Sequence, residues 1–140
     1  MVAVREEVLE FARSNIDQLK LDEEDPRTAL RLFLDEEIQR GKSDEYVVDL
    51  ELKIAIRGDA ELRDRLADPI NISEQAVDKW WLELFSSTGR SRADLLAARY
   101  ISTWLLRGLA IERISRTDEV TVARMERLLI DTVYGSIFDS

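Results

Sequence analysis

The sequence contains no cysteine and no histidine among its 140 residues. Without cysteine there can be no disulfide, no thiolate zinc site and no thiol nucleophile. Without histidine there is no Ser–His pair and no imidazole to act as an acid or base near neutral pH. No glycine-rich phosphate loop is present either. We therefore expect a protein that is not an enzyme and that uses no metal and no cofactor.

Long hydrophobic runs are also missing. No apolar segment approaches the roughly 18 residues that a membrane-spanning helix needs. The first residues do not show a basic stretch followed by an apolar one, which is the pattern of a signal peptide. We therefore expect a cytoplasmic protein without a membrane partner.

Positive charge is scarce, with 20 Lys and Arg against 29 Asp and Glu and a net charge of −9. Because a basic surface is needed to neutralise phosphates, this chain by itself is not expected to bind DNA. Its carboxylates cluster at Glu6–Glu7, Asp22–Asp25 and Asp35–Glu37. Such clusters could hold a metal or act as acids and bases, but they are usually solvated faces, which is the interpretation we favour here.

Glycine and proline are few, five and two, and several of them stand where helices would begin or end. The length and the 45% hydrophobic content predict one domain over residues 1–140. Apolar residues three and four apart predict a helix over residues 2–20. Asp25–Pro26 predicts the start of a second helix, which ends at Gly41, because Asp can accept a hydrogen bond from a free amide and Pro lacks the amide donor.

The segment Tyr46–Ile56 is ambiguous, because its large apolar residues alternate as they would in a strand. A single strand with no partner in the chain would leave its backbone groups unpaired. We therefore predict a helix. Further along, Asp59 and Asp68–Pro69 predict a short helix over residues 60–67, and Ser73 begins another that ends at Gly89.

The last two predicted helices, over residues 91–115 and 118–138, are apolar on more than one face. Either the first of them is a central helix buried by its own chain, or both pack against a second copy as a four-helix bundle. The second explanation is the one we favour. Gly108 supports it, since glycine inside a helix often marks the close approach of another backbone. The predicted interface comprises Ile101, Leu105, Gly108, Met125, Leu129 and Val133.

The order of these elements resembles the C-terminal domain of TetR-type transcriptional regulators. The resemblance rests on Ala97–Glu112, which reads AARYISTWLLRGLAIE, on Asp25–Leu30, and on Asp59–Arg63. It implies an all-α orthogonal or antiparallel helix bundle that dimerises through residues 91–138 and encloses a pocket for a small, largely apolar effector. It also implies a helix-turn-helix module before Val2, joined to the domain by residues 2–20. That module is absent from this chain, either because the chain is a fragment or because the protein has lost its DNA reader.

Candidate pocket residues come from the aromatic and apolar positions in the middle of the chain. We predict that the effector contacts Phe33, Leu52, Ile56, Trp81, Phe85, Tyr100 and Trp104, although for any single aromatic residue ordinary core packing is the favoured interpretation. Arg99 and Arg107 could pair with an anionic ligand or a carboxylate, but a solvated polar face is the favoured interpretation.

The predicted function is therefore that of a ligand-sensing, homodimerising domain of a transcriptional regulator. Residues 2–20 would transmit the effect of ligand binding to a DNA-reading module. The alternative is a helical structural or protein-interaction module that binds no small molecule.

Overall fold

In the computed structural model, residues 25–115 and 118–139 are described. The predicted connecting helix over residues 2–20 and the acidic residues before Asp25 lie outside them. The described chain is helical throughout, without a strand, and the prediction of an all-α bundle is confirmed. Its helices are α1 (Pro26–Arg40), α2 (Asp44–Gly58), α3 (Ala60–Leu84), α4 (Arg92–Ser115) and α5 (Glu119–Phe138).

Side-chain caps set where several helices begin. Asp25 accepts a hydrogen bond from the amide of Arg27 at 3.1 Å, and Pro26 occupies the first turn of α1. The first turns of α2, α3 and α5 likewise donate backbone amide hydrogen bonds to the side chains of Ser43, Asp59 and Asp118. Each cap satisfies an amide that has no partner inside its helix. These boundaries are therefore encoded locally.

The ambiguous segment Tyr46–Ile56 lies within α2, which confirms the helical prediction. Tyr46 and Leu50, one helical turn apart, are buried together with Ala110 of α4. Val48 and Ile54 point outward and are exposed. The alternation was misleading because α2 has apolar residues on both its buried and its exposed side.

The prediction of two helices between Asp59 and Gly89 was wrong. One helix, α3, runs through Pro69, which has no amide hydrogen to donate to the preceding turn. Apolar and small side chains that are buried or half-buried follow one face of α3 across this point: Leu62, Leu66, Ile70, Ser73, Val77 and Trp81. Packing along that face offsets the missing hydrogen bond. The helix ends at Leu84, and a short 3-10 turn over Ser86–Thr88 leads to Gly89, whose φ of 74° is left-handed.

The core lies between α1, α3, α4 and α5. Helix α4 packs most extensively on α5 and next on α3, while α1 packs on α5. The most deeply buried large side chains are Trp81, Phe85, Leu30, Leu34, Ile137 and Val133. Within the described ranges, no helix combines the length and hydropathy needed to cross a membrane.

Candidate functional site

Three of the seven predicted effector contacts lie inside the packed core. The Trp81 ring lies 5.5 Å from the Phe33 ring and 4.8 Å from the Phe85 ring, centroid to centroid. Trp81 and Phe85 are fully buried. The indole Nε1 of Trp81 donates a hydrogen bond of 2.8 Å to the carbonyl oxygen of Leu95. Edge-to-face rings in mutual contact fill space, so this cluster has the character of a hydrophobic core.

The other four predicted contacts lie toward the surface. Tyr100 and Trp104 stack on α4 with ring centroids 6.3 Å apart, and Trp104 is 64% exposed. Leu52 and Ile56 lie on α2, where Leu52 is exposed and Ile56 half-buried. The structure therefore distributes the seven residues over a core cluster, an aromatic pair on α4 and an apolar pair on α2.

A surface pocket of about 360 Å³ is lined by Thr88, Gly89, Arg90, Ile137 and Phe138. It lies where the turn after α3 meets the end of α5. Arg90 spans this region and donates a hydrogen bond from Nε to the carbonyl oxygen of Ile137 at 3.2 Å. None of the seven predicted contacts lines this pocket.

Arg99 is the centre of a buried ionic cluster that the sequence pattern did not reveal. Only 4% of the residue is exposed. Its Nη1 is 2.8 Å from Oδ1 of Asp78, and its Nη2 is 2.8 Å from Oε2 of Glu74. The solvated face predicted for Arg99 was therefore wrong. The available signal was the spacing of Glu74 and Asp78, which puts two carboxylates on one face of α3.

The buried ionic cluster also holds the aromatic pair on α4. The hydroxyl of Tyr100 donates a hydrogen bond of 2.9 Å to Oδ2 of Asp78. Asp78 thus accepts from Arg99 and Tyr100 at once, and Trp104 stacks on the ring of Tyr100. The exposed indole is therefore attached to a rigid polar cluster between α3 and α4.

The three tyrosines of the chain share a raised pKa. Burial is the first cause for Tyr46, Tyr100 and Tyr134, and for Tyr100 the hydrogen bond to the Asp78 carboxylate adds to it. All three phenols therefore stay neutral to higher pH in the folded chain than the ordinary value of 10.0.

An alkaline titration followed by tyrosinate absorbance tests these shifts. We expect a midpoint above 10.0 for the native chain and a midpoint near 10 for the chain in urea. Because the folded pKa exceeds the unfolded one, the phenols stabilise the fold below pH 10, and this contribution is lost as the pH rises through the folded pKa. Coincident native and unfolded titration curves would contradict the assignment.

The predicted interface residues separate into two groups. Ile101, Leu105 and Met125 are between 41% and 46% exposed, and Gly108 is exposed as well. Leu129 and Val133, by contrast, are 5% and 1% exposed and pack inside the protomer. Their inclusion is therefore corrected, because α5 turns this face toward α1, α3 and α4 rather than outward.

Further large apolar side chains lie exposed on the same two helices, among them Trp104, Ile111 and Leu128. We call the set formed by Ile101, Trp104, Leu105, Gly108, Ile111, Met125 and Leu128 the outer face. Since large apolar patches on a soluble protein mark interaction sites, the outer face is a candidate interface. In the described ranges, no group of three or more acidic side chains is arranged to hold a metal ion.

Comparison with known proteins gives a similarity at the level of sequence. No family model matches the chain, and no solved structure matches it. The chain is 24% identical over 128 residues, 91% of its length, to the HTH-type transcriptional regulator CymR of Pseudomonas putida. It spans 60% of the length of that relative. The chain is thus similar to a transcriptional regulator.

Proposed function

We propose that this chain is the ligand-sensing and homodimerisation domain of a TetR-like transcriptional regulator. The similarity to CymR supports a regulator, and the observation that carries the dimer is the outer face. DNA would be bound through an N-terminal helix-turn-helix module outside the residues of this chain. The acidic net charge agrees with this division, since the basic surface would belong to the DNA reader.

The spacing of the outer face is that of helices in a bundle. On α4, uncharged residues follow each other at alternating intervals of four and three: Ala97, Ile101, Trp104, Gly108, Ile111 and Ser115. On α5, the same intervals separate Thr121, Met125, Leu128, Thr132 and Gly135. Alternating intervals of four and three favour packing at a shallow crossing angle, as in coiled coils and four-helix bundles.

A two-fold dimer would bury the outer face of each copy against that of the other. The protomer itself already uses the opposite side of α4, where Leu95, Ala98, Ser102, Leu106 and Ala110 are buried. Helix α4 would then be covered on both sides, by its own chain and by the second copy. This accounts for its apolar character without a central position inside a single chain.

An effector would act by binding one arrangement of the helices better than another. The difference in affinity between the two arrangements limits how far the spacing of the DNA-reading modules can shift. Because α4 contacts α2, α3 and α5, a ligand near α4 would also affect the dimer interface.

The second candidate function is a helical protein-interaction module without an effector. It is favoured by the aromatic cluster of the core, where Phe33, Trp81 and Phe85 contact each other. In such a module the outer face would still bind a partner, but no small molecule would enter the bundle.

Sedimentation and thermal unfolding of the native chain test the proposal. We expect a particle of twice 16.2 kDa, and stabilisation by at least one member of a panel of small, largely apolar molecules. A ligand at a hundred times its Kd stabilises the folded state by about 2.7 kcal/mol. A monomer at high concentration would overturn the proposal. A dimer that no compound stabilises would favour the interaction module.

A further inference from the structure

Helices α2 and α4 pack in antiparallel register. A Cβ atom on Gly41, just before α2, would lie 3.5 Å from Nη1 of Arg113, near the end of α4. Tyr46 and Leu50 then meet Ala110, one turn earlier on α4. Continuing by one more turn along each helix brings Lys53 of α2 opposite Arg107 of α4. Two cationic side chains therefore face each other where the helices meet.

These two side chains are half-buried, and neither has a partner among the residues that the structure describes. Within residues 25–115 and 118–139, no hydrogen bond, ion pair or ring contact involves the side chain of Lys53 or Arg107. The other basic side chains there that are not exposed do have partners: Arg40 with Glu37, Arg90 with the carbonyl of Ile137, Arg99 with Glu74 and Asp78, and Arg113 with Glu126. Among the described basic side chains that are not exposed, Lys53 and Arg107 are therefore the two without a partner.

The charge of Arg107 acts on Lys53 more strongly than either nearby carboxylate does. Burial lowers the pKa of Lys53, and the charge of Arg107 lowers it further. Asp49 and Glu74 raise this pKa, each by less than Arg107 lowers it, and Arg40 adds another lowering contribution. Two like charges are therefore held together in a partly desolvated place, an arrangement that an anion between them would stabilise.

Both side chains can only donate hydrogen bonds, one through an ammonium and the other through a guanidinium. Charge-assisted hydrogen bonds to an oxyanion would satisfy both groups.

We propose that Lys53 and Arg107 bind the oxyanion group of a small molecule between α2 and α4. This inference rests on the proposed function, for which it specifies the class of effector as an organic acid or a phosphorylated compound. Arg107 directly precedes Gly108 of the outer face. An anion bound here would therefore draw α2 toward the helix that carries the dimer contacts.

Titrations of the native chain with inorganic phosphate and with hexanoate, at constant ionic strength, test the site. The signals to follow are the side-chain Nε–H of Arg107 and the amides of α2 and α4 in ¹H–¹⁵N spectra. We expect saturable shifts with at least one anion, and an affinity about tenfold lower for Lys53→Met, which loses one charge-assisted hydrogen bond. Saturation by phosphate alone indicates a phosphorylated ligand, and saturation by hexanoate alone a carboxylic acid.

Two control variants distinguish loss of the proposed site from a general effect of removing a positive charge. Lys53→Arg retains the charge and should retain binding. Arg57→Met removes an exposed cation one turn further along α2 and should bind as the native chain does. Lys53→Met should fold and unfold at the native temperature or above it, because it removes an unpaired, half-buried charge.

The inference is overturned if neither anion gives saturable shifts, or if Lys53→Met binds as well as the native chain. The proposed function is judged separately by sedimentation. If the chain is a dimer but binds neither anion, only the proposed anion site is contradicted. If the chain is a monomer that binds an anion through Lys53, only the proposed function as a dimeric regulator domain is contradicted.

Discussion

Replacing Gly108 with arginine is expected to convert the proposed dimer into a folded monomer of 16.2 kDa. A Cβ atom at Gly108 would meet nothing within 4 Å in the protomer, so the fold has room for the side chain. Gly also costs about 1 kcal/mol in a helix relative to better helix formers, so the isolated protomer should become more stable. In the proposed interface, however, the guanidinium would be desolvated without a partner. Sedimentation velocity measures the change in mass directly.

The chain offers a matched control for this substitution. A Cβ atom at Gly58, at the end of α2, would likewise meet nothing within 4 Å, and Gly58→Arg introduces the same side chain on a helix that does not belong to the outer face. The control should remain dimeric. If Gly108→Arg sedimented as the native chain does, the outer face would not be the interface.

Replacing Asp78 with alanine is expected to cause the largest loss of stability among single changes in the polar cluster. The substitution removes one carboxylate from the buried Arg99 and the acceptor of the Tyr100 hydroxyl. Loss of one partner of a buried ion pair typically costs about 3–5 kcal/mol. Glu74 remains as a partner of Arg99 and is partly exposed. We therefore expect the free energy of unfolding to fall by about 2–3 kcal/mol, which corresponds to a fall of about 10 °C in Tm. Thermal unfolding followed by circular dichroism measures it.

A surface ion pair provides the comparison. Arg31 and Asp35 lie 3.2 Å apart on α1, with both side chains at least half exposed. Asp35→Ala should therefore cost less than about 1 kcal/mol. The double variant Arg99→Met/Asp78→Leu should recover much of the loss, since it removes the uncompensated charge together with its partner. Equal effects of Asp78→Ala and Asp35→Ala would show that the buried cluster contributes no more than a surface pair.

The buried cluster and the outer face are related through α4. Asp78 fixes Tyr100, and Trp104 of the outer face stacks on Tyr100. Asp78→Ala should therefore also loosen an indole at the edge of the proposed interface. Trp104 fluorescence alone would not report this, because Trp80 and Trp81 emit as well. A Trp104→Phe comparison in the same background separates its signal.

Helix existence and helix starts could be predicted from the sequence because both depend on residues close along the chain. Asp25, Ser43, Asp59 and Asp118 each bond to amides two or three positions ahead. Pro69 shows where local reasoning fails. Pro69 affects the backbone locally, but whether α3 continues past Pro69 depends on packing against other helices.

The candidate site was predictable only in part. The aromatic residues were recognised, but periodicity could not distinguish the packed rings of Trp81 and Phe85 from the exposed Trp104. Arg99 was assigned to a polar face because its partners lie 21 and 25 residues earlier in the chain. Lys53 was not singled out at all, because its lack of a partner among residues 25–115 and 118–139 is a property of the assembled bundle.

By itself, the sequence determined the class of fold, several of the helix starts and the chemistry that is excluded. It did so because hydrogen-bonding caps, helical periodicity and the absence of cysteine and histidine need no knowledge of distant contacts. Only the tertiary structure decided which apolar face of α4 and α5 turns inward, so that Leu129 and Val133 are core while Met125 and Leu105 are surface. When a helix has apolar residues on several sides, its sequence pattern is compatible with burial of any of those sides. Only packing against the other helices selects the side that is buried.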